Sequence, residues 1–275
     1  MSRALDEPAA LSGKAERLDG DRTARARAVI LLLAVALVAT IVLSLAAGAS
    51  DASAFAVVKG WLFGTDGDTV LSARDVVIIQ DIRMPRVALG CLIGAALAVS
   101  GAVMQGLFRN PLADPGLVGV SSGAGLGAVA MIVLGTTALA PVTTMLGIYA
   151  LPAAAFVGGL VVTLLLYRVS TRRGQTSVAT MLLAGIALAA LAGALTGILV
   201  FMADDRQLRD LTFWNLGSLA GATWVKVAAI APVIFAALAT APFLAKGLNA
   251  LALGEATANH LGIPVQRFKH VAIVS

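Results

Sequence analysis

The sequence predicts an all-α, polytopic transmembrane helix bundle with six complete spans and the start of a seventh. Three observations carry this. Of 275 residues, 59% are hydrophobic and 13% are charged, where a soluble domain is roughly one quarter charged. Runs free of Asp, Glu, Lys and Arg recur along the chain, each long enough for the about 20 helical residues that cross a bilayer's hydrocarbon. Glycine supplies 28 residues while aromatics are only 5%, a small-residue composition suited to closely packed membrane helices. With a mean hydropathy of +0.92, the chain cannot cover itself with polar surface, and its solvent is lipid.

Met1–Arg27 is polar and of mixed charge, and reads as a cytoplasmic tail. The run that follows is too long for a signal-peptide core, so a signal-anchor first span is expected. That span is Ala28–Ser50, and the second is Val87–Phe108. From Pro115 to Tyr167 there are 53 residues without a charge, too many for one helix. The Gly135–Pro141 segment breaks them into spans near Leu117–Leu134 and Leu146–Tyr167. Gly174–Ala203 holds the fifth span and Val227–Ala245 the sixth. A seventh is expected to begin near Val271 and stops at Ser275, as in a fragment or a truncated reading frame.

Orientation follows from where Lys and Arg fall. With the N-terminus in the cytoplasm, 13 of the 20 lie inside and 7 outside. Arg168, Arg172 and Arg173, between the fourth and fifth spans, weigh most. Arg83 and Arg86 dissent at the outer end of the second span. The net charge of +5 therefore reports topology, with no aromatic-interleaved basic patch for nucleic acid. Cys91 is the sole cysteine, so an internal disulfide is excluded and thiolate metal ligation lacks partners.

Small residues recur at four-residue spacing: Gly90, Gly94, Ala98, Ala102 and Gly106 in span two, Gly119, Gly123 and Gly127 in span three, and Gly185, Ala189, Gly193 and Gly197 in span five. Such spacing puts them on one helix face. Generic packing and a central helix beside a pathway both need this, and Gly94, Gly101, Gly185 and Gly193 are the packing or pathway candidates.

Four motifs rise above this background. Arg83–Met84–Pro85–Arg86 enters span two, and Gln105 to Pro115, QGLFRNPLADP, leaves it with two turn-forming X-Pro pairs. Trp214–Ser218, WNLGS, precedes span six, its Trp suited to the membrane interface. Leu248–Gly262, LNALALGEATANHLG, has the spacing of an amphipathic helix pair broken at Gly254 and closed at Gly262. It is too polar to span, yet apolar enough to need a membrane surface or a partner.

With RxPR, QxxxRNPLAxP followed by Gly119 and Ser121–Ala124, WNLGS and LxLGExxAxxLG in this order, the chain from about residue 30 onward resembles FecCD/BtuC-type permeases. These are the membrane subunits of ATP-binding-cassette importers for iron-siderophores, haem or vitamin B12. The resemblance implies a BtuC-like domain over 28–275, incomplete because the family continues with further spans. It implies a homodimer or pseudo-dimer in the bacterial inner membrane, two cytoplasmic ATPase subunits and an external substrate-binding protein. By the same resemblance, Arg83 and Arg86 dock the binding protein, with snorkelling to lipid phosphate as the alternative. The segment 248–262 would meet the ATPase through Leu253, Gly254, Glu255, Ala258, Leu261 and Gly262. Span five would line the pathway, and Thr176 and Ser177 would sit in a cytoplasmic gate loop, Ser170–Ser177. Ferric siderophore, the family's broadest use, is the first expectation for substrate.

The residues weigh against other functions. An ion-coupled carrier needs ionisable groups near the midplane, and the complete spans hold none. A membrane-embedded enzyme needs clustered acid-base or metal-binding groups, and none are clustered. No GxxxxGK[ST] loop is present, so energy from ATP would enter through a partner. No cofactor or metal is expected. A truncated, non-transporting scaffold is the remaining alternative.

Overall fold

A computed structural model describes residues 22–48, 73–172 and 175–274. Nearly all of the polar tail, the greater part of the segment between the first two expected spans, and Arg173 with Gly174 of the candidate gate loop lie outside the described residues. The chain divides into two units, Met1–Ile79 and Gln80–Ser275.

In the first unit, α1 (Thr23–Ala46) has 24 residues, none of them buried, and is about 36 Å long at 1.5 Å per residue. Its Leu, Val and Ile side chains are exposed on all sides, as fits a helix surrounded by hydrocarbon. Thr40, mid-helix, returns its hydroxyl to the Ala36 carbonyl at 2.6 Å, so this donor does not need water. A short α2 (Ala73–Val77) follows, and a π-helical stretch (Ile78–Arg83) leads onward.

The second unit is built from α3 (Met84–Phe108), a 3-10 turn (Pro115–Val118), α4 (Val120–Leu134) and α5 (Ala140–Leu146). A second 3-10 turn (Gly147–Tyr149) and α6 (Ala150–Ser170) come next. Two-residue strands, β1 (Thr171–Arg172) and β2 (Gln175–Thr176), pair antiparallel with Thr171 opposite Thr176. The chain then forms α7 (Val178–Met202), α8 (Asp205–Leu216), α9 (Trp224–Ala252), α10 (Glu255–His260) and α11 (Val265–Val274).

Among the described residues, five helical runs are long and apolar enough to cross a membrane. The expected third span is the exception. α4 has 15 residues, about 22 Å, short of the roughly 30 Å hydrocarbon core. The predicted start at Leu117 fails because Pro115–Val118 forms a 3-10 turn, capped by Asp114 accepting from Gly116 N at 2.6 Å. The expected break at Gly135–Pro141 is present, with Pro141 in the first turn of α5. The fourth span departs differently, its approach divided into α5, a turn and α6. The seventh helix begins at Val265 rather than near Val271. Val265, Phe268 and Ala272 share one face and pack on the main core, which draws Arg267 and Lys269 into the helix instead of leaving them in a loop.

α4 packs against α6 and α7, and α3 against α9. The α4–α6 contact is made by small residues. A Cβ on Gly123 would lie 2.5 Å from the Gly158 carbonyl oxygen, and one on Gly127 would collide with the Ala154 carbonyl. A Cβ on Gly158 would strike the Gly123 carbonyl in return. The span-three stripe is thus a backbone-to-backbone seam. The main core lies at the C-terminal ends of α3 and α9, where Leu107, Phe108, Leu251, Ala258 and Val265 meet.

Gly158→Ala is expected to destabilise the fold by about 1–3 kcal/mol through overpacking, read as a lower unfolding midpoint in detergent. Gly193→Ala, whose new methyl would meet none of the described atoms beyond the local helix backbone within 4 Å, should leave the midpoint unchanged or raised, since Ala is the better helix former by about 1 kcal/mol.

Candidate functional site

The segment 248–262 begins inside α9 and turns out of it at Gly254, whose φ of 110° is closed to ordinary side chains. α10 follows, and Gly262 at φ 80° ends the motif, with its N–H bonded to the Asn259 carbonyl at 3.0 Å. The break and the closure expected from the two glycines are both there. The candidate residues then divide by face. Ala258 is fully buried in the main core beside Leu251, while Leu253 and Leu261 are 69% and 62% exposed. Two large apolar side chains at the end of a helix bundle, flanking a short polar helix, form a surface that a partner can cover.

Glu255 stands in the first turn of α10, where the helix N-terminus favours an anion. Its Oε1 accepts from Lys269 Nζ at 2.8 Å. Lys269 is only 2% exposed, and the same ammonium donates to the Thr176 carbonyl at 3.0 Å. One turn earlier on α11, Gln266 Oε1 accepts from Thr176 N at 2.9 Å. Both backbone groups of the candidate gate residue are therefore held by side chains of α11. The Thr176 hydroxyl is also 2.9 Å from that of Thr171 across the β-ladder. Ser177 is the N-cap of α7, accepting from Thr180 N at 3.3 Å. Two candidate sites, far apart in sequence, thus meet through a helix that sequence reasoning counted only as a source of cations.

α11 is itself firmly seated. The Phe268 ring fills the space where a Cβ on Gly247 would be, and His270 lies 4.9 Å from Tyr167 between ring centroids. The RNPLADP segment supports the same corner. Arg109 ends α3 in the left-handed region at φ 51°, Asn110 Oδ1 accepts from Leu112 N at 3.0 Å, and Ala113 is buried in the core that holds Ala258.

The other candidate site lies at the far end of α3, about 36 Å away along the helix at 1.5 Å per residue. Arg86 is exposed and donates Nη2 to the Ala220 carbonyl at 3.1 Å. Arg83 is buried, at 7% exposure, so of the RxPR pair only Arg86 presents its guanidinium at the surface. The connection from α8 to α9 wraps this end. Trp224 donates its indole N–H to the Gln80 carbonyl at 2.8 Å, and Lys226 bonds the Gly221 carbonyl at 2.7 Å. Ala222 and Val227 close a small core with Leu89.

The FecCD transport family matches residues 31–275. The chain belongs to the FecCD family. It is 43% identical over 197 residues to the cobalamin import system permease protein BtuC of Halobacterium salinarum, covering 72% of this chain and 51% of that protein. It is 43% identical over 189 residues to the hemin transport system permease protein HmuU of Yersinia pestis, covering 69% and 55%. The vitamin B12 import system permease protein BtuC of Salmonella typhimurium is 40% identical over 209 residues, 74% of this chain and 60% of that one. The chain thus spans between half and three fifths of these relatives. A solved structure described as an inward-facing metal-chelate type ABC transporter superposes with a TM-score of 0.71 at 27% identity, over 90% of this chain and 72% of that one. As a FecCD protein with several membrane-length helices, the chain is a multi-pass membrane protein.

In this FecCD chain the remaining candidates lie outside the corner around Lys269. Among the described residues, no atom beyond the local helix backbone lies within 4 Å of where a Cβ on Gly94, Gly101 or Gly193 would be, while Gly185 is buried. Lys269 and Gln266 are the site residues missed from the sequence. Their signal was faint: two polar residues three apart on a face otherwise set by Val265, Phe268 and Ala272.

Glu255→Gln is expected to lower stability by roughly 1.5–3 kcal/mol, the value of a hydrogen bond to a charged group, because it leaves the buried Lys269 ammonium without its counter-ion. Thermal unfolding in detergent checks this, and Glu255→Asp should recover part of the loss.

Proposed function

We propose that this chain is a membrane permease subunit of an ATP-binding-cassette importer in the bacterial inner membrane, with its N-terminus in the cytoplasm. The observation that carries the reading is the corner where Glu255 of α10 and Thr176 share Lys269. A segment that displays apolar side chains to a partner is thereby bonded directly to the loop that caps α7. That arrangement suits a protein in which a motor at one face acts on a gate beside the bundle.

In this reading, cytoplasmic ATPase subunits cover Leu253 and Leu261, and hydrolysis belongs to them, the permease itself being non-catalytic. A second permease subunit covers the open small-residue faces of α3 and α7 at Gly94, Gly101 and Gly193, with the pathway between the two copies. A substrate-binding protein docks at the Arg86 end, where an exposed guanidinium can meet a carboxylate. The substrate is a bulky metal chelate, ferric siderophore first, with cobalamin and haem as alternatives supported by the relatives' names. Walls without ionisable groups suit a large solute handed over by a binding protein rather than one selected by charge.

The test is co-reconstitution of the full chain in proteoliposomes with FecCD-type ATPase subunits and binding proteins for each of the three chelates. The expected result is hydrolysis stimulated by one loaded binding protein, lost in the Leu253→Asp/Leu261→Asp double variant. Hydrolysis indifferent to the chain sinks the reading. Arg86→Glu should slow binding-protein association, and the difference from the unaltered chain should shrink as salt is raised, as for an exposed charge at an interface rim. Equal association rates at low salt would remove Arg86 from the docking surface.

A further inference from the structure

We infer that α11 is the transmission element between α10 and the gate loop, and that Lys269 is its positioning residue. The inference deepens the importer reading and rests on it. Thr176 is bound on both sides of its backbone by α11, through Gln266 to its N–H and Lys269 to its carbonyl. Lys269 holds α10 by the Glu255 carboxylate with the same ammonium. A buried ammonium deprived of either acceptor leaves a hydrogen unsatisfied out of reach of water. A displacement of α10 therefore drags Lys269, and Thr176 with it, instead of being absorbed between them.

The route is short and stiff. The two α11 residues that make these three hydrogen bonds, Gln266 as acceptor and Lys269 as donor, lie within one helical turn, and Thr176 is adjacent to Ser177, the N-cap of α7. Movement delivered at Glu255 reaches the first turn of α7 through two hydrogen bonds and a single peptide. Leu253 and Leu261, exposed on the other face, take no part in these bonds, so contact with a partner and transmission from it reside in different residues.

The experiment uses the full chain reconstituted with its ATPase subunits, carrying an environment-sensitive label at Leu261 or at Ser177. In the unaltered chain both labels should respond to nucleotide. In Lys269→Met, which keeps the side-chain volume, the Leu261 label should still respond and hydrolysis should persist. The Ser177 response should vanish, and transport per ATP hydrolysed should fall on the order of tenfold, the size of one charge-assisted bond. Should Lys269→Met not fold, Gln266→Leu removes one of the two holds on Thr176 and should give the same separation in weaker form. The swapped pair Glu255→Lys/Lys269→Glu restores the ion pair but replaces the donor to the Thr176 carbonyl, and should stay uncoupled. A Ser177 label that responds normally in Lys269→Met, with unchanged transport per ATP, overturns the transmission role alone. An unaltered chain in which neither label responds and no ATPase is stimulated overturns the importer reading and the transmission role with it.

Discussion

The arrangement at the C-terminal ends of α3 and α9 depends on one buried ammonium. Lys269 is 2% exposed on the helix that brings Val265 and Ala272 into the core with Leu251 and Ala258, and apolar replacement of a buried ion pair is often neutral or stabilising. What the charge adds is a geometric demand. Two of its three hydrogens are taken up, and the acceptors come from two segments far apart in sequence, the Thr176 carbonyl and the Glu255 carboxylate. The α10 segment cannot lie elsewhere on the bundle, nor the β-ladder fold away, without stranding that charge. Gly247 contributes by leaving space for Phe268, which sets the rotation of α11 that points Lys269 at both partners.

Much of the bundle was legible in the sequence, because hydrocarbon imposes a simple rule: no charges over a membrane-length run. The segment 248–262 was legible for a different reason. Gly254 and Gly262 adopt positive φ, so the two ends of α10 are written in residue type. The third span and α11 were misplaced because their limits are set by other things. Asp114 caps a 3-10 turn inside an apolar run, which hydropathy does not register. α11 starts at Val265 because Phe268 has a glycine to pack on in α9. The role of Lys269 was out of reach on sequence alone, since its carbonyl partner is 93 residues away and a cation near a span end already has a sufficient explanation in topology.

The small-residue stripes show where sequence periodicity stops being informative. Gly123 and Gly127 on α4 and Gly158 on α6 meet each other, so that stripe is consumed within the chain. Gly94 and Gly101 on α3, seven residues apart, and Gly193 and Gly197 on α7, four apart, also recur on a face, yet an added Cβ there would meet no described atom of another segment within 4 Å. Spacing reports that a helix can be approached closely; only the presence of a complementary face says what approaches it.

The two candidate sites are joined by more than membership of one chain. α3 and α9 run the full distance between them and pack on each other, touching at Gly106 and Leu248 near one end and through Leu89 and Val227 near the other. Arg86 is on α3 and its acceptor Ala220 lies four residues before the start of α9, while α10 follows α9 after the turn at Gly254. Close-packed interfaces change by discrete rearrangement rather than by continuous deformation. The glycine seam between α4 and α6 sets two backbones directly against each other, so the α3–α9 pair and the α4–α6 pair are the two close-packed bodies from which this part of the bundle is built.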